Sequence, residues 1–340
     1  MDNNFQVNNE PIDSRATISP EPPSKKSKAI EILLALLKAI GYVAVWLGIQ
    51  VVLLYACIIV VFIANPSLSL LEITEKVASW SIELTVATNI LTLLAIIVFY
   101  IIIKKPFLKT IKVSKPHKAS YLPTIAIGGS AQYVTALVLG MLILFLPKEW
   151  QDSFNENNEL IENANQVLAF ITAVIVAPIF EEILCRGLIL NTLRKAMPKW
   201  WAIVVSSAIF GAIHGNPIQF IYATALGILL GWLYTKFDSI FIPMICHLAF
   251  NLVSMLNSYM NVENPVVTII LGLIMYASIP VFVLSMVYIC VKKFDKPTVS
   301  IPMPPYVEAK SEYNADSLAR LQAEIDGEKY NNNINNGESL

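Results

Sequence analysis

The chain has 340 residues, of which 56% are hydrophobic and 14% charged, and its mean hydropathy is +0.61. Ordinary soluble proteins carry about 25% charged residues, so the composition excludes a chain built only from soluble domains. The net charge of −1 and the scattered basic clusters give no support for nucleic-acid binding.

Apolar runs fill the middle of the chain, and its two ends are polar. We therefore expect a polar cytoplasmic tail over 1–29, a transmembrane domain over 30–296 and a second polar cytoplasmic tail over 297–340. The first 28 residues lack the short basic start, brief apolar core and small-residue cleavage site of a secretory signal. No cleavable signal peptide is expected.

Apolar runs of about 20 residues have the length that a ~30 Å hydrocarbon core requires of a helix. They predict an all-α, polytopic membrane protein with about eight transmembrane helices. The predicted spans are 39–64, 84–103, 121–146, 166–190, 199–214, 218–235, 239–259 and 266–291. The fifth span is short, because it ends at His214 before the helix-breaking sequence Gly215-Asn216-Pro217.

Basic residues occur on one side of the predicted bundle. They precede the first span and follow the second, fourth, sixth and eighth, with six lysines between Lys104 and Lys118. The opposite loops are poor in Lys and Arg, and the loop before the fourth span is acidic. The positive-inside rule therefore predicts a multi-pass protein of the cell membrane with both termini in the cytoplasm. Its Asn- and Lys-containing, Gly-poor composition indicates a bacterial source.

The fourth span carries two adjacent carboxylates and a guanidinium, Glu181, Glu182 and Arg186. Each would cost roughly 2.5 to 3.5 kcal/mol at the bilayer centre, so each needs a partner. Glu182 and Arg186 are four residues apart and share a helix face, which favours a charge-assisted pair. Glu181 is rotated by about 100° from Glu182 and is free to face a cavity.

Histidines in the fifth and seventh spans extend this set. His214 follows Phe210 by four residues, and His247 precedes Asn251 by four, so His247 and Asn251 share one helix face. The third histidine, His117, lies among lysines in a predicted cytoplasmic loop, where a solvated surface role is expected. Lone amides within spans, such as Gln132, are expected to serve helix–helix contacts.

These side chains suit amide hydrolysis in a water-accessible membrane cavity. A carboxylate can take a proton from water and pass it to a leaving amine, while a histidine orients that water. A His/Asn pair can donate hydrogen bonds to a developing oxyanion. In a second arrangement, Glu181, His214 and His247 hold a divalent ion such as zinc, which activates the water. The H-E-x-x-H spacing is absent, and the sequence leaves both arrangements open.

At these residues the chain resembles the CAAX protease and bacteriocin-processing family of intramembrane proteases. That family includes type II CAAX prenyl endopeptidases and bacteriocin self-immunity proteins. The E-E-x-x-x-R signature matches Glu181, Glu182 and Arg186. F-x-x-x-H matches Phe210 and His214, and H-x-x-x-N matches His247 and Asn251. The resemblance covers roughly 165–255, with the motif residues on helices 4, 5 and 7.

The resemblance implies Glu181 as general base and His214 as the residue that positions the water. His247 and Asn251 would stabilise the oxyanion, and Glu182 with Arg186 would support the site. Family members have been described both as metalloproteases and as metal-independent glutamate proteases. The expected partners are membrane lipid and a peptide or protein substrate that reaches the site from the membrane or the cytoplasm.

Two other functions use the same residues. A proton- or ion-coupled transporter also needs intramembrane Glu, His and Arg, but the first half of the chain has no clear repeat of the motif-bearing half. A non-catalytic scaffold or bacteriocin immunity protein could use the same fold to bind a partner.

A site shared by both histidines also sets a geometric condition. Counted from the cytoplasmic side at 1.5 Å per residue, His247 lies at a depth of about 12 Å and His214 at about 22 Å. The fifth span must therefore tilt or begin outside the hydrocarbon core.

Overall fold

The computed structural model describes residues 25–162, 165–260 and 262–294, which are helices joined by short turns, with no strand among them. Seven of its helices are long and apolar enough to cross a membrane, and a further apolar helix has 14 residues. In chain order these are α1 Lys25–Ala64, α2 Ser81–Ile102, α3 Tyr121–Leu142, α4 Gln166–Leu193, α5 Lys199–Ala212, α6 Pro217–Phe237, α7 Phe241–Ser258 and α8 Pro265–Val291. The predicted all-α membrane fold, including its short fifth helix, is confirmed.

Shorter helices occupy the connections: Leu70–Ala78, Phe107–Thr110, Lys118–Ser120, Ile143–Phe145 and Lys148–Glu162. The first of them begins with a capping box. The Ser69 hydroxyl accepts a hydrogen bond from the backbone N–H of Glu72, and the Glu72 carboxylate accepts from the Ser69 hydroxyl and N–H at 2.7 Å each. These bonds, the hydroxyl one foremost, lower the pKa of the Glu72 carboxyl.

Helix α1 is longer than the apolar run that predicted it. It begins at Lys25 and has 40 residues, so it is about 60 Å long, twice the hydrocarbon thickness of about 30 Å. The predicted tail 1–29 therefore overlaps its first turn. The remainder of that tail and the predicted tail 297–340 lie outside the described residues.

Helix α4 lies at the centre of the packing. Every residue of its stretch Ile183–Leu190 is buried. The apolar residues of this stretch belong to a cluster that also contains side chains of α1, α2, α5 and α6. A second cluster joins α3, α6 and α7 with Ile289 near the end of α8. The centre of the fold therefore lies around the motif-bearing helices.

A stripe of small residues lets α5 and α6 approach closely. A Cβ atom added to Gly227 would lie 2.9 Å from the Cβ of Ser207, and one added to Gly231 would lie 3.1 Å from Ile203. The four-residue spacing of these glycines predicts such a packing face, and the structure confirms it.

The turn between α5 and α6 fixes the position of His214. Gly215 adopts a left-handed conformation at φ +70°, which glycine reaches without a Cβ penalty. Asn216 then caps α6, accepting from the N–H of Ile218 at 2.9 Å, and its amide donates to Ser153 at 3.1 Å. His214 is thereby held just beyond the end of α5.

Candidate active site

The backbone of α4 departs from α-helical geometry on both sides of its carboxylates. Thr172–Val176 and Ile183–Leu190 are π-helical, and Ala177–Glu182 between them is α-helical. Pro178 has no backbone N–H, so the regular hydrogen-bond ladder is already interrupted at this point. Such widened turns are rare and occur frequently at functional sites. The apolar pattern of the chain did not indicate them.

Glu182 connects two other motif residues. Its Oε1 atom accepts a hydrogen bond from Arg186 Nη1 at 2.7 Å and lies 3.0 Å from His247 Nδ1. The Glu182 side chain is fully buried, and its Oε2 atom has no hydrogen-bond partner among the described residues. The predicted Glu182–Arg186 pair is present, and its direct contact with His247 was not predicted.

Arg186 is 1% exposed and has three kinds of contact. Besides its bond to Glu182, its Nη2 donates to the carbonyl oxygen of Gly227 at 3.1 Å. Its guanidinium carbon lies 4.5 Å from the centre of the Phe210 ring, within range of a cation–π contact. Breaking a buried ion pair typically costs about 3–5 kcal/mol, because an uncompensated charge remains. Arg186 therefore couples α4 to both α5 and α6.

The Phe210 ring lies between the two histidines. It contacts the His214 ring edge-on at a centroid distance of 4.9 Å and the His247 ring at 5.7 Å. His214 Nδ1 lies 2.7 Å from the carbonyl oxygen of Phe210. Both histidines thus contact the same ring and line the same cavity.

Glu181 faces a different direction from Glu182, as predicted. Its Oε2 atom lies 3.7 Å from His247 Nε2, and its side chain is 20% exposed, against 3% for His247. This separation exceeds a direct hydrogen bond, and a water molecule in the cavity beside the two atoms can contact both of them. Of the two adjacent carboxylates, only Glu181 lines a cavity.

Asn251 joins α7 to the first π-helical stretch of α4. Its Nδ2 atom donates to the carbonyl oxygen of Ala173 at 2.8 Å. An amide nitrogen carries two hydrogens, so this bond leaves one N–H for another acceptor. Asn251 also lines the cavity, together with His247 on the preceding turn.

A cavity of about 770 Å³ contains Glu181, His214, His247 and Asn251 in its wall. Amides and hydroxyls form much of the remaining polar lining: Gln132, Thr135, Gln166, Gln219, Tyr222, Ser254, Ser258 and Tyr259. Gln132 was expected to serve helix contacts, yet the structure places it in this wall. Polar residues inside apolar spans were the available signal for Gln132, Gln219 and Tyr222, but spacing alone could not identify the cavity that they share.

The predicted metal ligands do not form a metal-binding group in this structure. Within 25–162, 165–260 and 262–294, no three His, Cys, Asp or Glu side chains are placed so that they could hold one metal ion. His247 Nδ1 lies against Glu182, and His214 Nδ1 lies against a backbone carbonyl. The set Glu181, His214 and His247 does not fit a metal in this arrangement.

His117 is exposed, as its position among lysines predicted. Its Nδ1 atom accepts from the N–H of Ala119 at 3.1 Å and caps a single helical turn. It does not line the cavity. Among the three histidines, the structure therefore brings only His214 and His247 to the carboxylates.

The chain is similar to known proteins over the segment that carries these residues. Residues 163–253 match a family described as "Type II CAAX prenyl endopeptidase Rce1-like". Over 99 residues the chain is 33% identical to the Bacillus subtilis (strain 168) protein named "Putative membrane peptidase YdiL". That alignment covers 28% of this chain and 41% of the relative, so it spans about two fifths of the relative's length. No solved structure matches the chain significantly.

Proposed function

We propose that this chain is an intramembrane endopeptidase, since its residues 163–253 match the type II CAAX prenyl endopeptidase Rce1-like family. Its substrate is a peptide bond in a membrane-associated protein or peptide. One observation carries the proposal: Glu181 Oε2 and His247 Nε2 lie 3.7 Å apart on the wall of an open cavity. A general base and a second proton-binding group there can both contact a water molecule in the cavity.

The tautomers follow from the hydrogen-bond partners. A carbonyl oxygen can only accept, so His214 Nδ1 carries the hydrogen toward Phe210, and the neutral ring has its lone pair on Nε2. The paired carboxylate of Glu182 likewise accepts from His247 Nδ1–H. Nε2 of a neutral His247 would then face Glu181 as one acceptor facing another. Two facing acceptors are stabilised by a hydrogen on either of them or by a water molecule that donates to both, and the proposed reaction uses the doubly protonated His247.

Hydrolysis then proceeds with the residues in the following roles. Glu181 takes a proton from a water molecule oriented by His214 Nε2, and the water oxygen attacks the carbonyl carbon of the peptide. Doubly protonated His247 and the second amide N–H of Asn251 donate to the resulting oxyanion. Glu181 passes its proton to the departing amine nitrogen as the C–N bond breaks. Glu182 and Arg186 act through His247 as positioning residues.

The membrane-associated peptidome of cells tests this function and identifies substrates together. Cells with the wild-type protein are compared with cells carrying Glu181→Gln, and a cleavage product is expected only with the wild type. General acid–base groups contribute about 10²- to 10⁴-fold, so the purified variant should lose activity by that factor. Full activity in Glu181→Gln would disprove the proposal.

Glu83→Gln is the matched control, since Glu83 is an exposed carboxylate in the first turn of α2 that does not line the cavity. It should leave the peptidome unchanged. Substrate-dependent uptake into proteoliposomes that survives Glu181→Gln would favour a transporter instead.

Metal dependence is tested separately, with a chelator, because none of the proposed steps involves a metal. Activity of the purified protein is compared before and after treatment with a chelator, with and without added zinc. Retained activity is expected from the hydrogen-bond arrangement of both histidines. Loss with recovery on zinc addition would mean that Glu181, His214 and His247 rearrange to bind the ion.

A further inference from the structure

The cavity extends from the middle of the bundle to only one of its ends. The lining residues lie in the second half of α3, the first half and middle of α4, the end of α5, the first half of α6 and the latter part of α7. They run from Glu181 and His247 in the middle of the bundle to Gln166 and Tyr259 at its end. Since neighbouring spans run in opposite directions, these halves all point to the same end. Phe154, from the helix Lys148–Glu162, completes the wall at that end.

The two ends of the bundle differ in charge. Basic residues gather at the end away from the cavity. They are the six lysines from Lys104 to Lys118, then Arg194, Lys195, Lys199, Lys236, Lys292 and Lys293. At the cavity end, the described basic residues are Lys76 and Lys148, among the carboxylates Glu72, Glu75, Glu149, Asp152, Glu156 and Glu263. Basic loops stay in the cytoplasm, so the cavity end lies on the other side of the membrane.

The lining also limits what the cavity can hold. A volume of about 770 Å³ is in the range of pockets that enclose a small ligand, so it fits a short extended peptide and excludes a folded domain. The described lining contains amides and hydroxyls but no Lys or Arg. Apart from the histidines that the proposed reaction uses, a free C-terminal carboxylate would find no cationic partner there, whereas peptide N–H and C=O groups would find many.

We propose that the active-site cavity opens to the extracytoplasmic side and takes an internal, unfolded segment of a protein exposed there. The sequence led us to expect a substrate that arrives from the membrane or the cytoplasm, and this proposal excludes the cytoplasmic route. The substrate class rests on the proposed peptidase function, whereas the direction of opening rests only on the cavity and the charges.

Thiol labelling tests the direction without any need for activity. The background carries Cys57→Ala and Cys290→Ala, since Cys185 and Cys246 are fully buried. Ser254→Cys, in the cavity wall, should react with a small membrane-impermeant thiol reagent on intact cells. Lys109→Cys, exposed at the lysine-rich end, should react only in inside-out vesicles.

The opposite pattern, with Ser254→Cys labelled only in inside-out vesicles, overturns the proposal. Failure to label Ser254→Cys from either side overturns it too, because the cavity would then be closed to water. Adding Glu181→Gln should not change labelling, so a failure of the peptidase proposal remains distinguishable from a failure of the opening direction.

The substrate class is tested on the products that depend on Glu181. Their cleavage sites should fall in extracytoplasmic segments, and a synthetic peptide with an amidated C-terminus should be cut as fast as the free acid. Cleavage in cytoplasmic loops, or a tenfold preference for the free acid, would contradict it.

Discussion

Two groups of helices in this protein have different surroundings. In the most apolar window of α4 and of α6, 44% of the residues are buried inside the protein, whereas in α1 and α8 the share is 6%. The outer helices expose aliphatic side chains such as Leu284 and Val291, at 68% and 78%. Lipid tails are as apolar as these side chains and give helices no hydrophobic reason to associate. Close packing therefore depends on shape and on polar partners, which the inner helices supply.

Glycines make the same comparison at the level of single atoms. A Cβ added to Gly128, Gly187 or Gly227 would lie within 2.9 Å of a neighbouring helix or loop, whereas one added to Gly41 or Gly48 of α1 would meet nothing within 4 Å. In the inner group, these glycines lie where a neighbouring helix or loop touches the backbone. In α1, glycine has no such role among the described residues.

The largest effect on stability is expected for Arg186→Met in the inner group. It leaves the Glu182 carboxylate buried without its main partner, which should cost about 3–5 kcal/mol. Thermal unfolding of the purified protein measures the loss, with the exposed Lys293→Met as the control. Combining Arg186→Met with Glu182→Leu should recover part of the stability, because the unpaired charge is removed. No recovery would show that the pair is not the source of the loss.

Phe210→Leu should reduce activity through the histidines. The variant removes the ring that lies 4.9 Å from His214 and 5.7 Å from His247, and misplacement of reacting groups by about 1 Å can cost 10²-fold. We expect a fall in kcat with little change in KM and partial rescue by Phe210→Tyr. Phe62→Leu, at a 58% exposed position of α1, is the control. Equal loss in kcat and in thermal stability, with no rescue, would indicate a purely structural role.

Adding one methyl group at a glycine, as Gly227→Ala in α6 and Gly48→Ala in α1, compares the two groups of helices. Overpacking against Ser207 should destabilise the protein by about 1–3 kcal/mol. Gly48→Ala, with open space around it, should be neutral or stabilising by up to about 1 kcal/mol, since alanine favours helix. The unfolding midpoints of the two variants, measured side by side, test this difference. Equal shifts would contradict the comparison.

The smallest effect is expected for Leu284→Ala on the outer face of α8. This side chain is 68% exposed within the chain, so the unfolding free energy should change by no more than about 0.5 kcal/mol. A loss comparable to that of Gly227→Ala would indicate that α8 packs against another molecule.

The sequence predicted what depends on local composition. Run length located the helices, including the short α5, and the four-residue spacing predicted the pair of Glu182 with Arg186. The contact of Glu182 with His247 and the central place of the Phe210 ring could not be predicted, because they depend on how α4, α5 and α7 pack together. The π-helical turns of α4 change hydrogen-bond register without changing the apolar pattern, and the start of α1 at Lys25 extends a helix through residues that look like a polar tail.

The pairing of Arg186 with Glu182 also bears on how the protein is made. Helices leave the ribosome in chain order, so α4 meets the bilayer before α5, α6 and α7 have been synthesised. At that moment His247, Gly227 and Phe210 do not yet exist as partners. Arg186 and Glu182 belong to the same helix, and their 2.7 Å contact needs no other. Helix α4 thus brings its own counterion into the membrane, and an Arg186 variant should impair its insertion during biosynthesis as well as the assembled bundle.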